Sequence, residues 1–295
     1  MEQLIQFAIS ALSLGGTYAL LALGLATVFG LLGFLNFAHG DLMTICGYSI
    51  YFLLAAGVSF FIAAPIAILV AGLAAVLMER IAFRPLRGRS PMSLLITSFA
   101  ISLALHVCFQ IFISPKSKPI PIPDVFSGYL TFGEVYVSKA QIISIIVSIL
   151  ALILLSAFMT KTRIGIALRA SASDFTVARA MGIKANQMIM LAFAISGVLA
   201  GIAAVMWIAQ RGAVSPAMGQ GPMIKALIAV IIGGLSHPRG ALYGGFILGT
   251  LEAIFLYILP DSWVLYRDAM VLVILISFLM VRPNGIVAPS TEPMR

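Results

Sequence analysis

The chain has 295 residues, 61% of them hydrophobic and 9% charged, with 18 Lys and Arg against 10 Asp and Glu, and a mean hydropathy of +1.11. Soluble domains are about half apolar and about a quarter charged, so a soluble enzyme or binding module is excluded. The apolar runs are continuous and about 20 residues long, enough to cross roughly 30 Å of hydrocarbon as helices, whereas a transmembrane barrel needs short alternating strands.

The sequence therefore predicts an all-α, polytopic transmembrane helix bundle in a single domain, 1–295. Membrane segments are expected at about 5–31, 41–57, 59–79, 93–113, 141–160, 188–209, 222–235, 240–259 and 264–281. Segment 222–235 is short and 41–57 abuts 59–79, so the count is eight to nine crossings. The opening MEQLIQ has no Lys or Arg and leads into a run longer than a signal-peptide core, so no cleaved leader is expected. Cys46 and Cys108 lie within apolar runs and suggest neither a disulfide framework nor a metal site.

The net charge of +8 sits between the spans and reports topology, not a nucleic-acid partner. Loop 80–92 holds Arg80, Arg84, Arg87 and Arg89 and no acid. Loop 161–187 holds Lys161, Arg163, Arg169, Arg179 and Lys184 against Asp174. Both are expected on the cytoplasmic side. Two spans, 93–113 and 141–160, separate these loops, so their parity agrees, and the Pro-rich stretch 114–139 lies between those spans. It is expected outside, in extended or turn backbone. The same counting puts the C-terminus inside and, with nine segments, the N-terminus outside.

The first span runs into GFLNFAHGD, residues 33–41, a polar and glycine-bearing break between apolar segments. A second break, GGLSHPRG, follows the short segment near the other end. Each combines an apolar segment, a Gly-Leu element, a His, a Gly and a further apolar segment, which reads as an internal duplication with both copies in one orientation. Backbone broken at membrane depth must be buried in protein or line a watery cavity. Paired breaks in two halves of a chain point to a transport pathway. A plain interfacial turn is the competing reading. The residues concerned are Asn36, Phe37, His39, Gly40 and Asp41 in the first break. In the second they are Gly233, Gly234, His237 and Gly240. Gly33 and Gly40 permit close backbone approach.

Loop 161–187 is long for a connection between spans and has helical character. Ser173 or Asp174 is a candidate N-cap and Gly182 a left-handed C-cap. Its mixed apolar and basic surface suits either a partner groove or a lipid headgroup layer. Gly197/Gly201, Gly240/Gly244 and Gly245/Gly249 form small-xxx-small faces for close helix packing in lipid. Glu252 is the acid most clearly inside a span, where such a group pairs and faces the interior; Arg267 and Lys225 are both candidates. No G-x-x-x-x-G-K-[ST], H-E-x-x-H or G-x-S-x-G motif occurs, so the chain has no P-loop and no recognisable catalytic constellation. An ion-coupled secondary transporter, relying on Glu252, is the alternative class.

At the stretches GLLGFLNFAHGDLM, RIAFRPLRGRSPMSLLITSFAISL, TRIGIALRASASDFTVARAMGIKANQMIM, KALIAVIIGGLSHPRGALYGGFILGTLEA and VRPNGIVAP, spread along nearly the whole chain, the sequence resembles the permease subunits of bacterial ABC importers for branched-chain amino acids. It resembles the smaller of the two paired permeases. Relatives in that family also carry urea and other small amides or acids. The resemblance implies a multi-pass inner-membrane protein. Its implied partners are a second homologous permease, two ATP-binding cassette subunits, an extracytoplasmic binding protein, membrane lipid and an amino-acid substrate. No cofactor or metal would be bound by this chain; ATP and Mg would be used by the partner ATPases. The resemblance also implies that Ala178, Arg179, Ala180, Met181 and Gly182 dock on the ATPase, flanked by Arg169, Asp174 and Lys184. The two breaks would then form the inner gate.

Overall fold

In the computed structural model, which describes residues 2–132, 135–235, 238–282 and 285–286, each of the nine apolar segments is a helix. They are α1 (Glu2–Leu32), α2 (His39–Ala55), α3 (Phe60–Met78), α4 (Pro91–Phe112), α5 (Lys139–Lys161), α8 (Ala185–Arg211), α9 (Gln220–Gly233), α10 (Pro238–Ile258) and α11 (Arg267–Val281). Two further helices, α6 (Arg163–Ser173) and α7 (Phe175–Ala180), occupy the long basic loop. Among the described residues six helices are long and apolar enough to cross a membrane. The 14 residues of α9 reach only about 21 Å, short of a full crossing.

The central helix is α1. Tyr18, Ala19, Leu20, Leu21, Ala22 and Leu25 have almost no exposed surface, as expected of a helix apolar on all sides. Helix α10 runs antiparallel to it at very short range. A side chain at Gly245 would meet the backbone of Ala19, and one at Gly249 the backbone of Gly15. The pair α3/α8 repeats the device: a Cβ on Gly197 would lie 2.6 Å from the carbonyl oxygen of Ala71. Gly244 lies against the Ala229 backbone and Gly240 against Gly233, closing α10 on α9. All three small-residue faces of the sequence are thus packing seams. By contrast α4 and α5 bury only narrow lines, Leu94 and Ser98 on one, Ala140, Ser144 and Ser148 on the other. Their remaining large side chains, such as Phe99, Leu103, Ile146 and Leu150, are exposed.

The ends of the bundle sort by charge. Loop 80–92 is not all loop: α3 continues through a π-turn at Glu79–Phe83 and a 3-10 turn at Arg84–Leu86. Phe83 is fully buried between Phe34 and Phe193, and buried Glu79 pairs with Arg87. These anchors hold the backbone helical beyond the apolar run. Arg87 also donates to Asn186 at the start of α8, and Gly30 of α1 faces Ala172 of α6. Both basic loops are therefore at one end of the bundle. At the opposite end the Pro-rich stretch pairs β1 (Lys118–Pro119) antiparallel with β4 (Ala213–Val214), just after α8. A hairpin of β2 (Tyr129–Phe132) and β3 (Val135–Ser138) follows.

The seams make a measurable demand. Gly249→Ala puts a methyl group onto the Gly15 backbone and is expected to destabilise the protein by about 1–3 kcal/mol. Gly221→Ala on α9, where nothing lies within 4 Å, should be neutral. Thermal melts of both variants in detergent test the contrast.

Candidate coupling segment and helix breaks

In the first break, α1 ends as Gly33 turns left-handed at φ +67 and donates its N–H to Phe29 O at 2.8 Å. Asn36 builds the turn: its Oδ1 accepts the Ala38 N–H at 3.1 Å and its carbonyl accepts the His39 N–H at 3.2 Å. The Phe37 N–H donates to Ser98 Oγ at 3.1 Å, and the Phe37 ring meets Phe99 edge-on. The chain then folds back into the bundle. His39 is fully buried, with Nδ1 3.0 Å from Ser196 Oγ and its ring over Gly24. Gly24 is eight residues before the end of α1, so α2 starts about 12 Å inside that end. Gly40 lies against Gly219 and Met223, at the first turn of α9. Asp41 is also buried. The polar knot is thus packed within protein, where neighbours satisfy much of its backbone.

The second break closes the other end of α9. Gly233 and Gly240 are back to back, and Gly234 has φ +106. Ile286 donates its N–H to Ile232 O at 2.8 Å, so the chain after α11 supplies a donor to the open end of α9. His237 lies outside the described residues. Of the first break, Gly40 meets the first turn of α9, while Phe37 is held by α4 and His39 by α1 and α8; Gly233, Gly234 and Gly240 of the second lie at the last turn of α9. Helix α9 is a short strut between two breaks that do not share one cluster. Both breaks follow helices that run towards the basic end and precede helices that run away from it.

The candidate coupling segment is two helices. Thr162 caps α6 by accepting the Gly165 N–H at 3.0 Å, a cap the sequence reading did not name. Of the two candidate caps for α7, Asp174 acts: one carboxylate oxygen accepts the N–H groups of Thr176 at 2.8 Å and Val177 at 2.9 Å. Gly182 is left-handed at φ +84 and ends the turn, with Ile183 N–H donating to Ala178 O at 3.1 Å. Leu168 packs with Met188 and Ala192, fastening α6 to the start of α8. Ala178 is buried, whereas Arg169, Arg179, Ala180, Met181, Gly182 and Lys184 are exposed. Val177 at 54% and Met181 at 78% exposure leave an apolar edge at the tip without cover from this chain.

Glu252 takes both of its candidate partners. Its Oε1 accepts from Lys225 Nζ at 2.7 Å and pairs with Arg267 at 3.0 Å, and its Oε2 accepts from Tyr18 Oη at 2.6 Å. Lys225 also pairs with Asp268 at 3.3 Å. The network joins α1, α9, α10 and α11 and balances two cations with two acids. Tyr18 was not singled out from sequence, because a Tyr among apolar residues carries no spacing signal. Ser196 and Gly24, the two neighbours of His39, were missed for the same reason.

Two outcomes follow. Asp174→Ala removes the acceptor for two N–H groups and should cost α7 about 1 kcal/mol, read as faster protease cutting within 174–182; Asp174→Asn should retain most of the protection. Glu252→Gln leaves the cations without their buried acid and is expected to lower stability by about 3 kcal/mol. Adding Lys225→Met should restore part of that loss in a detergent melt, and no recovery would mean the pair is not coupled.

Comparison with known proteins places this arrangement. Residues 7–279 match the family described as "Branched-chain amino acid transport system / permease component". The chain is 34% identical to the high-affinity branched-chain amino acid transport system permease protein BraD of Pseudomonas aeruginosa, over 98% of this chain and 97% of that one. It is 30% identical to the corresponding LivH protein of Escherichia coli, over 96% and 95%. Its fold is similar to a chain of the solved structure of PsaBC from Streptococcus pneumoniae in complex with Fab, with a TM-score of 0.50 at 18% identity, covering 96% of this chain and 92% of that one. With its helix bundle, paired breaks and capped basic segment, the chain is a multi-pass membrane protein that belongs to the branched-chain amino acid transport permease family.

Proposed function

We propose that the chain is the membrane-spanning subunit of an ATP-driven, binding-protein-dependent importer of leucine, isoleucine and valine, working beside a second, homologous permease. The observation that carries this reading is the α6–α7 unit: capped at both helices, fastened to α8, and presenting Val177, Ala180 and Met181 outward from the basic end. An apolar edge on a rigid base suits the groove of a partner ATPase. The full-length similarity to relatives named for branched-chain amino acid transport supports the substrate class. Ala178 is buried beneath the segment, while Arg179 and Lys184 flank the contact; Arg169 turns to the α1/α5/α10 side instead.

The mechanism follows from the connections of this unit. Two ATPases, on the cytoplasmic side, close on ATP and push α6–α7. Helix α6 bears on the end of α1 through Ala172 and Gly30 and on α8 through Leu168. Both helices contact His39, through Gly24 and Ser196. A push on the segment therefore reaches the first break through packed side chains, and the second through α9. Rigid elements with two arrangements carry such coupling. The binding protein delivers the amino acid at the Pro-rich face, and the breaks shape the inner gate. An ion-coupled transporter is less well supported, because both oxygens of Glu252 are already held by Tyr18, Lys225 and Arg267.

The test is ATP hydrolysis by the complete assembly in proteoliposomes, with loaded binding protein added or withheld. Leucine-loaded binding protein should stimulate hydrolysis by about tenfold, within the usual range of coupling between sites. Gly182→Val, which forces a branched residue into left-handed backbone, should abolish the stimulation and the uptake of leucine together. Leucine uptake that follows an ion gradient without ATP would overturn the reading.

A further inference from the structure

A groove of about 370 Å³ opens at the basic end between α1, α5, α6 and α10. Its floor is Leu23, Leu152, Leu155, Met159 and Leu242. Leu152 is nine residues before the end of α5, so the groove reaches about 14 Å into the bundle. Of the three hydroxyls along it, two are engaged within their own helices: Thr27 donates to Leu23 O at 2.7 Å and Thr160 to Ser156 O at 2.7 Å. With Ser156 as the one further hydroxyl, the interior is mainly apolar. Its mouth is different. Arg169 and Arg239 stand there, both exposed, and neither makes an ion pair among the described residues. Among the described residues no acidic side chain lines the groove.

We propose that this groove binds an anionic phospholipid of the cytoplasmic leaflet, with an acyl chain along the α1/α5/α10 floor and the phosphate between Arg169 and Arg239. Three observations select this occupant. Two guanidiniums without an acid complement a net negative headgroup, since arginine forks match phosphate oxygens. A zwitterionic amino acid would leave its ammonium without a partner there. An apolar slot some 14 Å deep gives a soluble anion nothing to bind, and it fits a chain that already lies in the bilayer. The wall formed by α5 is continuous with exposed Ile149, Leu150, Ile153 and Leu154, so the slot joins an outer apolar face of the bundle. Basic pockets between helices on the cytoplasmic side are the usual setting for acidic headgroups.

The site would tie lipid composition to the transport cycle. It is built from α6, which also forms the base of the coupling segment, and from the first turn of α10, beside the second break. An occupied groove braces those two elements against α1 and α5.

The experiment is native mass spectrometry of the full chain in mild detergent, titrated with phosphatidylglycerol or phosphatidylcholine. Phosphatidylglycerol should bind at least about fivefold more tightly per arginine engaged. Arg239→Gln should lose about fivefold, and the double variant Arg169→Gln/Arg239→Gln about 25-fold. Both arginines are exposed, so the variants should fold; an unchanged melting temperature without lipid confirms it. A second variant, Leu155→Trp, fills the floor and should weaken both lipids. Equal affinity for the two lipids, or an unchanged double variant, overturns the proposal. So does displacement of the lipid by inorganic phosphate, which would make this a soluble-anion site, or by leucine, which would make it part of the transport pathway. These readouts do not depend on transport, so they stand or fall apart from the importer reading.

Discussion

The close approach of α1 and α10 sets the rest of the molecule. Lipid offers no hydrophobic reward for bringing two apolar helices together, so association depends on fit and on polar contacts. Gly245 and Gly249 remove the side chains that would separate the two backbones at Ala19 and Gly15. At that range Tyr18 of α1 reaches Glu252 of α10. Glu252 in turn holds Lys225 of α9 and Arg267 at the start of α11. The short strut α9 is thereby fixed in the middle of its length, and its two ends are left to meet the two breaks. A seam made of missing side chains thus positions a network of charged ones.

That network is a poor source of net stability and a good source of specificity. Charges taken out of water regain their desolvation cost only when geometry and hydrogen bonding are nearly complete. Here both oxygens of the buried carboxylate are used, and Asp268 shares the load of Lys225. Replacing the whole set by apolar residues of equal volume need not weaken the bundle; removing one member does. What the set supplies is register. Slipping α10 along α1 by a single turn would strand Glu252, and it would also carry Gly245 and Gly249 away from the Ala19 and Gly15 backbones that they accommodate.

The parts of this structure that were legible in the sequence are those carried by period and by chemistry along the chain. Apolar runs gave the nine helices, glycine spacing gave the seams, and Asp174 and Gly182 bounded α7 because caps are local. The parts that were not legible depend on residues far apart. Nothing near Asn36 announces that Ser98 and Ser196 receive the break, or that Ile286 donates to the end of α9. Loop 80–92 looks like loop throughout along the chain because its arginines mark an interface. The burial of Phe83 and the pairing of Glu79 with Arg87, which keep it helical, are tertiary. The choice between Lys225 and Arg267 had no answer along the chain, since Glu252 takes both.

The depth of the first break explains why polar residues belong there. Once α2 starts inside the bundle, the last turn of α1 and the first of α2 present backbone groups that neither helix can satisfy. Lipid cannot take them, so they need acceptors and donors from the chain itself. Asn36 supplies one from within the turn and Ser98 one from a neighbouring helix. His39, with one ring nitrogen on Ser196, ties the turn to α8. Each of these is a single, net-modest hydrogen bond of about 1 kcal/mol. A turn held this way is well defined at rest, yet its release needs only a few such bonds to be exchanged. An all-leucine connection at the interface would be cheaper to build, but it would have no second arrangement to move to. A buried, polar and sparsely bonded turn is the kind of element that a push of a few kcal/mol on α1 and α8 can shift.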